Sequence, residues 1–298
     1  MSGDQDITSE HPAVTLATSG PVSLALRYAV RTDTGLVRDH NEDDFLVVPE
    51  SGVYLVADGM GGHNAGSVAS RICIETVEEF FQNWENESGD LERFEGDVVR
   101  PDEVLADALL AANRAIFEAA ASDASLAGMG TTVVGVRVKD DMLTVCHAGD
   151  SRAYLFRNGD LRRLTADHSL GNFLRGLGRE GEARLAESTM SNVIMRALGL
   201  EPSVEIEEGM VHIQPGDRLM LCSDGLSDLV SEDLISAVLM DPNYKRWEAA
   251  EKLVELALDQ GGRDNITVLI VDVYERGLAP EDDDPASFRG VRFDPDSE

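Results

Sequence analysis

Short apolar runs separated by turn residues recur along most of the chain. They are rich in Val, Ile, Leu and aromatic residues, which is typical of β-strands, and Gly, Asp or Asn residues separate most of them. The predicted strands cover residues 26–31, 45–48, 53–57, 131–138, 143–147, 153–156, 218–222 and 266–273. Because many of these runs follow one another at hairpin-like distances, the pattern favours antiparallel pairing.

Three further segments carry apolar residues at helical spacing. The positions are Val68, Ile72, Thr76, Val77 and Phe80, then Leu105, Ala108, Leu109, Ala112 and Ile116, then Ala250, Leu253, Val254 and Ala257. An apolar stripe on one side of a helix has to be covered by another element. Strands arrive in groups and do not alternate strictly with helices, so antiparallel sheets with helices packed outside are favoured over a doubly wound parallel fold.

The chain has 298 residues, 43% of them hydrophobic, which is enough to form the core of one enzyme-sized domain. Residues 1–24 are polar and lack a sustained period, and residues 276–298 are acidic and contain several prolines. We predict that both are loosely attached tails and that residues 25–275 form the domain. Inside it, residues 165–200 lack clear strand patterns but are long enough to be functional.

The chain is strongly acidic, with 56 acidic against 25 basic residues and a formal net charge of −31. Such a surface repels phosphate backbones, so nucleic acid is excluded as a partner class. The simplest interpretation of the charge is a well-solvated surface. A specific role for the carboxylates in binding hard cations requires evidence from their positions.

Compartment and assembly follow from what the sequence lacks. Cys73, Cys146 and Cys222 lie in apolar runs without a Cys or His partner at metal-ligand spacing, which predicts buried thiols in a reducing compartment. No run of about 18 uncharged apolar residues occurs, and the first 24 residues lack a signal-peptide pattern. We therefore expect a soluble, cytoplasmic protein with no membrane partner. A monomer is the default, since no long heptad pattern is present.

Five acidic loops are the strongest chemical signal. Asp58 and Asp224 each end an apolar run and precede a glycine, Asp150 lies between two strands, Asp264 precedes the last strand, and the acids at 42–44 open another strand. A single Asp-Gly pair is a common turn. A converging set would repel unless hard divalent cations neutralised it. Because His and Cys do not cluster in the sequence, Mg²⁺ or Mn²⁺ is favoured over zinc, and no single loop has the D-x-D-x-D-G spacing of a calcium module.

Eight segments, taken in order, resemble the motif series of the type 2C metal-dependent protein phosphatases, particularly their bacterial branch. They span much of residues 25–275 and are VRDHNED at 37–43, ADGMGGH at 57–63, GTT at 130–132, AGDSRAYL at 148–155, LTADHS at 164–169, RALG at 196–199, SDGLSD at 223–228 and RDN at 263–265. The resemblance implies a four-layer α-β-β-α sandwich of class α+β. Two packed, mainly antiparallel sheets are flanked by helices, and the metal site lies at one edge between the sheets.

The resemblance also implies a ligand set for two Mg²⁺ or Mn²⁺ ions. Asp58 would bridge the ions, Asp224 and Asp264 would complete the first site, and Glu42 with the Gly59 carbonyl would serve the second. The ions would activate a shared water for in-line attack on phosphorus.

Four further positions receive roles from the same resemblance. Asp150 and Asp228, together with Asp224, would form a third, weaker metal site, and Asp43 would orient water or backbone beside the ions. Arg38 would bind the substrate phosphate through its planar guanidinium. The alternative for Arg38 is a surface ion pair with Asp39 or another acid.

The implied activity is hydrolysis of phosphoserine and phosphothreonine on proteins, with serine/threonine kinases and their substrates as partners. The alternative is an inactive, phosphoprotein-binding pseudophosphatase, which is expected to lack a metal ligand or the phosphate-binding arginine. Two departures from the family pattern stand out. Met60 occupies the position of the histidine found in the animal branch, and His63 follows at a predicted helix start. The resemblance also implies that residues 165–200 form a flap-like segment beside the active site. Within it, the sequence ESTMSNV at 187–193 differs from the sequence that is usual in the family.

Overall fold

A computed structural model describes residues 23–62, 64–87, 104–189 and 193–279. His63 and most of the two predicted tails lie outside these ranges, as does part of the altered flap sequence. The ten strands are β1 Leu24–Asp33, β2 Asp43–Val48, β3 Val53–Met60, β4 Gly130–Lys139, β5 Met142–Ala148, β6 Arg152–Arg157, β7 Asp160–Arg163, β8 Glu207–His212, β9 Arg218–Cys222 and β10 Ile266–Glu275. The helices are α1 Ala65–Glu87, α2 Val104–Ser122, α3 Leu170–Gly176, α4 Glu180–Thr189, α5 Asp224–Ser227, α6 Glu232–Met240 and α7 Arg246–Asp259, with a short 3₁₀ turn at Ala124–Leu126.

The strands form two five-stranded sheets, and all eight named strand pairs are antiparallel. The order is β1-β10-β9-β6-β7 in one sheet and β2-β3-β4-β5-β8 in the other. The predicted class, two antiparallel sheets flanked by helices, is confirmed. All eight predicted strands are present, and each predicted helical stripe lies within α1, α2 or α7.

Three apolar cores hold the four layers together. On β3, Tyr54 and Val56 belong to the core between the sheets, whereas Leu55 belongs to the core that α1 and α2 cover. On β10, Leu269 faces the inter-sheet core and Ile270 faces the core under α6 and α7. Successive side chains of a strand point to opposite faces, so a strand covered on both sides is apolar throughout. This is why the central strands were the clearest in the sequence.

The unpredicted elements have weak apolar patterns. β7 is four residues long with two arginines, and β8 is an edge strand whose residues are mostly exposed. Residues 165–200 contain α3 and α4, which pack mainly against each other. The structure thus adds helices to a segment for which the sequence predicted only a loop-like region.

None of the described helices combines the length and apolar character needed to cross a membrane. Cys73, Cys146 and Cys222 are buried, unpaired thiols within the cores.

Candidate metal centre

Four strands, two from each sheet, begin or end at the same edge of the sandwich, and each has an acid at or near that end. Asp43 at the start of β2 lies opposite Asp58 near the end of β3 in the antiparallel register. In the other sheet, Asp224 lies two residues after the end of β9, and Asp264 lies two residues before β10, which is paired with β9. The structure therefore brings together acids that are separated by more than 200 positions in the chain.

Glu42 is held between the two sheets by its backbone. Its N–H donates to Asn265 Oδ1 at 2.8 Å, and its carbonyl accepts from Gly59 N–H at 3.1 Å. The Glu42 residue is only 8% exposed. These bonds place its carboxylate beside the end of β3, where the Gly59 carbonyl also lies.

Close packing of α1 brings the two predicted ligands of the second ion together. A Cβ added to Gly66 in α1 would lie 2.6 Å from Glu42 Oε1 and 2.8 Å from the Gly59 carbonyl oxygen. Both oxygens are thus neighbours, facing the first turn of the helix. Only a residue without a side chain fits at position 66 without displacing one of them.

Asp58 and Asp224 carry the strongest electrostatic perturbation in the centre. Desolvation is the largest cause, and it raises both pKa values well above the usual range. The surrounding charges of Asp43, Asp150 and Asp264 raise both pKa values further. Asp58 and Asp224 therefore tend to keep their protons unless cations offset the negative charge of their ionised forms.

Asp43 belongs to the same centre but is held by hydroxyl groups. Its Oδ2 accepts from Ser223 Oγ and from Thr267 Oγ1, both at 2.7 Å. Burial raises its pKa to about 7, against the lowering effect of these two hydrogen bonds. The sequence indicated a role for Asp43 but for neither of its hydroxyl partners. Ser223 opens the SDGLSD segment without a role of its own, and Thr267 lies outside the eight segments.

Several carboxylate oxygens at the centre have no hydrogen-bond partner within the described part of the chain. They are Glu42 Oε1, Asp43 Oδ1 and Asp150 Oδ1, all of them buried. His40 Nε2 approaches the first at 3.4 Å without hydrogen-bond geometry. Buried acceptors are normally satisfied, and divalent ions with oxygen ligands would satisfy them here. The donor set of carboxylates and a carbonyl therefore fits Mg²⁺ or Mn²⁺.

Buried acids elsewhere in the protein are paired differently. Asp217 and Asp272 each accept two hydrogen bonds from one arginine, Arg157 and Arg218 respectively. Within the described part of the chain, no Lys or Arg forms such a pair with Asp58. Among the described residues, Asp58 thus lacks the paired arginine that Asp217 and Asp272 have.

Arg38 reaches the edge of the centre. Its Nη2 donates to Asp264 Oδ2 at 2.7 Å, and this hydrogen bond is the main cause that raises the pKa of Arg38. The Arg38 side chain is 49% exposed. Arg38 thus forms an ion pair with Asp264, not with Asp39, and Asp264 is itself a predicted metal ligand.

Asp150 and Asp228 lie close enough to Asp224 to affect its titration. Burial raises the pKa of Asp150 to about 6, and the charges of Asp167 and Asp228 add to the effect. Asp228 N–H donates to the Asp224 carbonyl at 2.8 Å, within the turn that α5 forms. The three acids expected at a third site are therefore neighbours.

A histidine group that was not predicted from the sequence lies beside β5 and β8, in the sheet that also contains β2 and β3. The ligand atoms of His147, His168 and Glu207 lie within 4.8 Å of one another, and the two rings stack at 4.6 Å. His168 Nδ1 accepts from Gly149 N–H at 3.1 Å, and its Nε2 lies 3.0 Å from Glu207 Oε2 and 3.1 Å from Arg196 Nη1. This leaves His168 no free nitrogen for a cation, and we interpret the group as a hydrogen-bonded brace.

Comparison with known protein families gives a match over most of the domain. The sequence profile described as Protein phosphatase 2C matches residues 37–258. The chain belongs to the protein phosphatase 2C family.

Individual members of the protein phosphatase 2C family agree over most of the chain. The serine/threonine protein phosphatase PstP of Mycobacterium tuberculosis is 39% identical over 257 residues, which cover 85% of this chain and 46% of PstP. The serine/threonine phosphatase stp of Listeria monocytogenes is 36% identical over 252 residues, covering 83% of this chain and 96% of stp. The chain thus spans about half the length of PstP and nearly all of stp.

A solved structure of the PstP catalytic domain contains two manganese ions. It is 38% identical, has a TM-score of 0.70, and is matched over 85% of this chain and 100% of that one. The likeness extends to the whole protein phosphatase 2C sandwich described above.

Replacing Gly66 by Ala is expected to weaken Mn²⁺ binding by about 10-fold or more, because the added methyl group displaces Glu42 or the Gly59 carbonyl. Isothermal titration calorimetry measures the affinity. The matched control is Gly181→Ala in α4, where the new methyl group meets no atom within 4 Å. The control should keep the Mn²⁺ affinity and raise the unfolding free energy by about 0.5 to 1 kcal/mol. Equal affinities in both variants would contradict the assigned ligand positions.

The raised pKa values predict an unusual pH dependence for the metal-free protein. A carboxyl whose folded pKa is raised contributes stability at low pH, and the contribution is lost as pH rises through that pKa. With Asp150 near 6 and Asp43 near 7, the melting temperature in EDTA should fall between pH 5.5 and 8.

Mn²⁺ should remove this decline, since it binds the ionised carboxylates. Asp58→Asn should also flatten the EDTA profile, because one of the mutually repelling acids is gone. Thermal unfolding followed by circular dichroism measures all three profiles. A melting temperature in EDTA that rises with pH would show that the acids do not interact as described.

Proposed function

We propose that this protein hydrolyses phosphoserine and phosphothreonine monoesters on proteins, using two bound Mg²⁺ or Mn²⁺ ions. The observation that carries the proposal is the convergence of acids from both sheets on one edge, where buried carboxylate oxygens lack partners. Family membership and the two manganese ions of the PstP structure support the same activity.

The proposed ligands follow the positions of the acids. Asp58 would bridge the two ions, Asp224 and Asp264 would hold the first, and Glu42 with the Gly59 carbonyl would hold the second. When bound, the ions lower the pKa of water for attack on phosphorus and offset the charge of the reacting phosphate. Asp150 and Asp228, with Asp224, are proposed ligands of a third, weaker ion.

Asp43 is proposed to orient water or backbone beside the ions. Its Oδ1 is free to accept a hydrogen bond, because Ser223 and Thr267 occupy only Oδ2. Met60, the last residue of β3, has no proton to donate to the leaving group. The leaving oxygen must therefore receive its proton from another source.

Arg38 is proposed to bind the phosphate of the substrate. In this structure its guanidinium neutralises Asp264, which is a role that a bound cation would take over. Once Asp264 ligates an ion, the guanidinium is free to hold two phosphoryl oxygens through parallel hydrogen bonds. Its half-exposed position suits a group that meets a substrate from solvent.

The compartment, oligomeric state, domain bounds and substrates of the enzyme are also proposals. We propose a cytoplasmic monomer whose catalytic domain covers residues 25–275 and whose substrates include serine/threonine kinases and the proteins they phosphorylate. Named relatives are serine/threonine phosphatases, which supports phosphoproteins as the substrate class. Residues 165–200, with α3 and α4, are the proposed flap beside the substrate.

The function is tested by phosphate release from a phosphothreonine peptide and from p-nitrophenyl phosphate, with Mn²⁺, with Mg²⁺ and with EDTA. Release that EDTA abolishes is the expected result. Binding of the phosphopeptide without any release, by protein shown to be folded, would replace the hydrolase by the pseudophosphatase.

Asp58→Asn is expected to lower kcat by at least about 100-fold with Mn²⁺, because the proposed bridge between the ions is lost. The metal-free fold should be at least as stable as that of the wild type, since a repelling charge has been removed. Steady-state kinetics and thermal unfolding in EDTA measure the two effects. Asp160→Asn, at an exposed position of β7, is the matched control. Full activity of Asp58→Asn would refute the bridging role.

Arg38→Ala is expected to raise KM for the phosphopeptide about 10-fold or more, with a further fall in kcat where the contact strengthens during the reaction. Arg38→Lys keeps the charge but loses the two-pronged geometry, so it should recover only part of kcat/KM. Arg162→Ala, at an exposed position of β7, controls for the loss of positive charge. An unchanged kcat/KM in Arg38→Ala would leave Arg38 as a surface ion pair.

A further inference from the structure

Asn265 lies at the junction between the two halves of the metal centre. It follows Asp264 directly, precedes β10, and is 4% exposed. The sequence contains it only as the last letter of a short motif, without a role. Its side chain, however, faces away from its own strand, toward the connection between β1 and β2.

The Asn265 side chain makes three hydrogen bonds to backbone groups of that connection. Its Oδ1 accepts from Glu42 N–H at 2.8 Å, and its Nδ2 donates to the carbonyls of Thr34 at 2.9 Å and His40 at 3.0 Å. One acceptor and two donors are therefore matched to one N–H and two carbonyl groups. Among the side chains, only a carboxamide offers this combination, and Gln is one methylene longer.

The backbone of Asn265 is tied to the acids as well. Its N–H donates to Asp264 Oδ1 at 2.9 Å. Its carbonyl packs against Gly225, where an added Cβ would lie only 1.9 Å from the carbonyl oxygen. Asn265 therefore has little freedom to shift relative to Asp264 or to the start of α5.

The connection that Asn265 holds, residues 34–42, carries both Arg38 and Glu42. Leu36 N–H donates to the Gly262 carbonyl at 2.7 Å near its start, and the Glu42 carbonyl accepts from Gly59 N–H at 3.1 Å at its end. Between them, Arg38 donates to Asp264. The bonds from Asn265 reach the end of the connection, at His40 and Glu42. They set the distance between Glu42 on one sheet and Asp264 on the other.

We propose that Asn265 is a positioning residue that holds the 34–42 connection against the start of β10, so that Glu42 and Arg38 face Asp264 in the geometry that metal and phosphate binding require. It contacts neither substrate nor ion and acts through Glu42, Arg38 and Asp264. The inference rests on the proposed function, since it explains how Glu42, Arg38 and Asp264 are held together in the proposed site.

Two substitutions distinguish positioning from charge. Asn265→Ala removes all three side-chain hydrogen bonds. Asn265→Asp keeps the shape and the accepting oxygen, but a carboxylate oxygen replaces the NH₂ group that donates to the carbonyls of Thr34 and His40. An added negative charge beside a cation site should by itself tighten Mn²⁺ binding. Loss of positioning should instead weaken it, so the Asp variant separates the two effects by sign.

Asn113 in α2 provides a matched control. It is 1% exposed, its Oδ1 accepts from Gly199 N–H at 2.8 Å, and its Nδ2 donates to the Glu201 carbonyl at 3.2 Å. It is thus another buried carboxamide that ties two backbone segments, but these segments lie outside the metal centre. Asn113→Ala and Asn113→Asp should lower the melting temperature in EDTA while leaving the Mn²⁺ affinity close to that of the wild type.

The experiment measures Mn²⁺ binding by isothermal titration calorimetry and kinetics at saturating Mn²⁺ for the wild type and the four variants. Both Asn265 variants are expected to raise the Mn²⁺ dissociation constant by about 10- to 100-fold and to raise KM for the phosphopeptide. A Mn²⁺ affinity in Asn265→Asp that equals or exceeds that of the wild type would overturn the inference, as would equal losses in the Asn113 variants.

Hydrogen exchange on the unmodified protein gives a second test that does not depend on folding of the variants. The Glu42 amide should exchange slowly, because it donates to a buried carboxamide. Fast exchange of that amide would contradict the inference. Failure of the proposed function itself is distinguishable, since it would appear as an inactive wild type, whereas failure of the positioning role leaves the wild type active.

Discussion

Repulsion among buried carboxylates is the constraint on which the rest of this structure depends. Two sheets, each pairing antiparallel strands, direct Asp58, Asp224 and Asp264 to one edge, where desolvation and like charge oppose the ionisation of Asp58 and Asp224. The apolar cores that hold the four layers together must therefore outweigh a local cost at this edge. Divalent cations reverse the sign of that cost, so the same arrangement that destabilises the metal-free protein becomes the source of its chemistry.

The protein treats charge differently at the centre and away from it. Asp217 and Asp272 are satisfied by the forked guanidinium groups of Arg157 and Arg218, which brace strands of one sheet. At the centre, the hydroxyl groups of Ser223 and Thr267 hold the Asp43 carboxylate without neutralising it, and the Asn265 carboxamide holds the Glu42 backbone. Neutral partners fix the direction of an acid and leave its charge available to a cation, which is the property that a metal site needs.

Much of the fold followed from the sequence because its central strands are covered on both faces. Leu55 and Val56 contact different cores, so β3 has no polar face and was recognised as an uninterrupted apolar run. The exposed edge strand β8 and the short β7 lack such a run, and α3 and α4 bury few of their residues. Secondary structure that is stabilised by position in the fold, with little apolar patterning of its own, leaves a weak trace in the sequence.

By itself, the sequence determined which acids and which arginine exist, in what order they occur, and that the acids lie at or near strand ends, because these are local properties of composition and spacing. Only the tertiary structure decided which of them meet. Arg38 and Asp264 are 226 positions apart, Glu42 and Asn265 are 223 apart, and the stacked histidines are brought together from different segments. The physical reason is that contacts across the sandwich depend on how two sheets pair and pack, and no local pattern encodes the partner of a hydroxyl, a carboxamide or an imidazole.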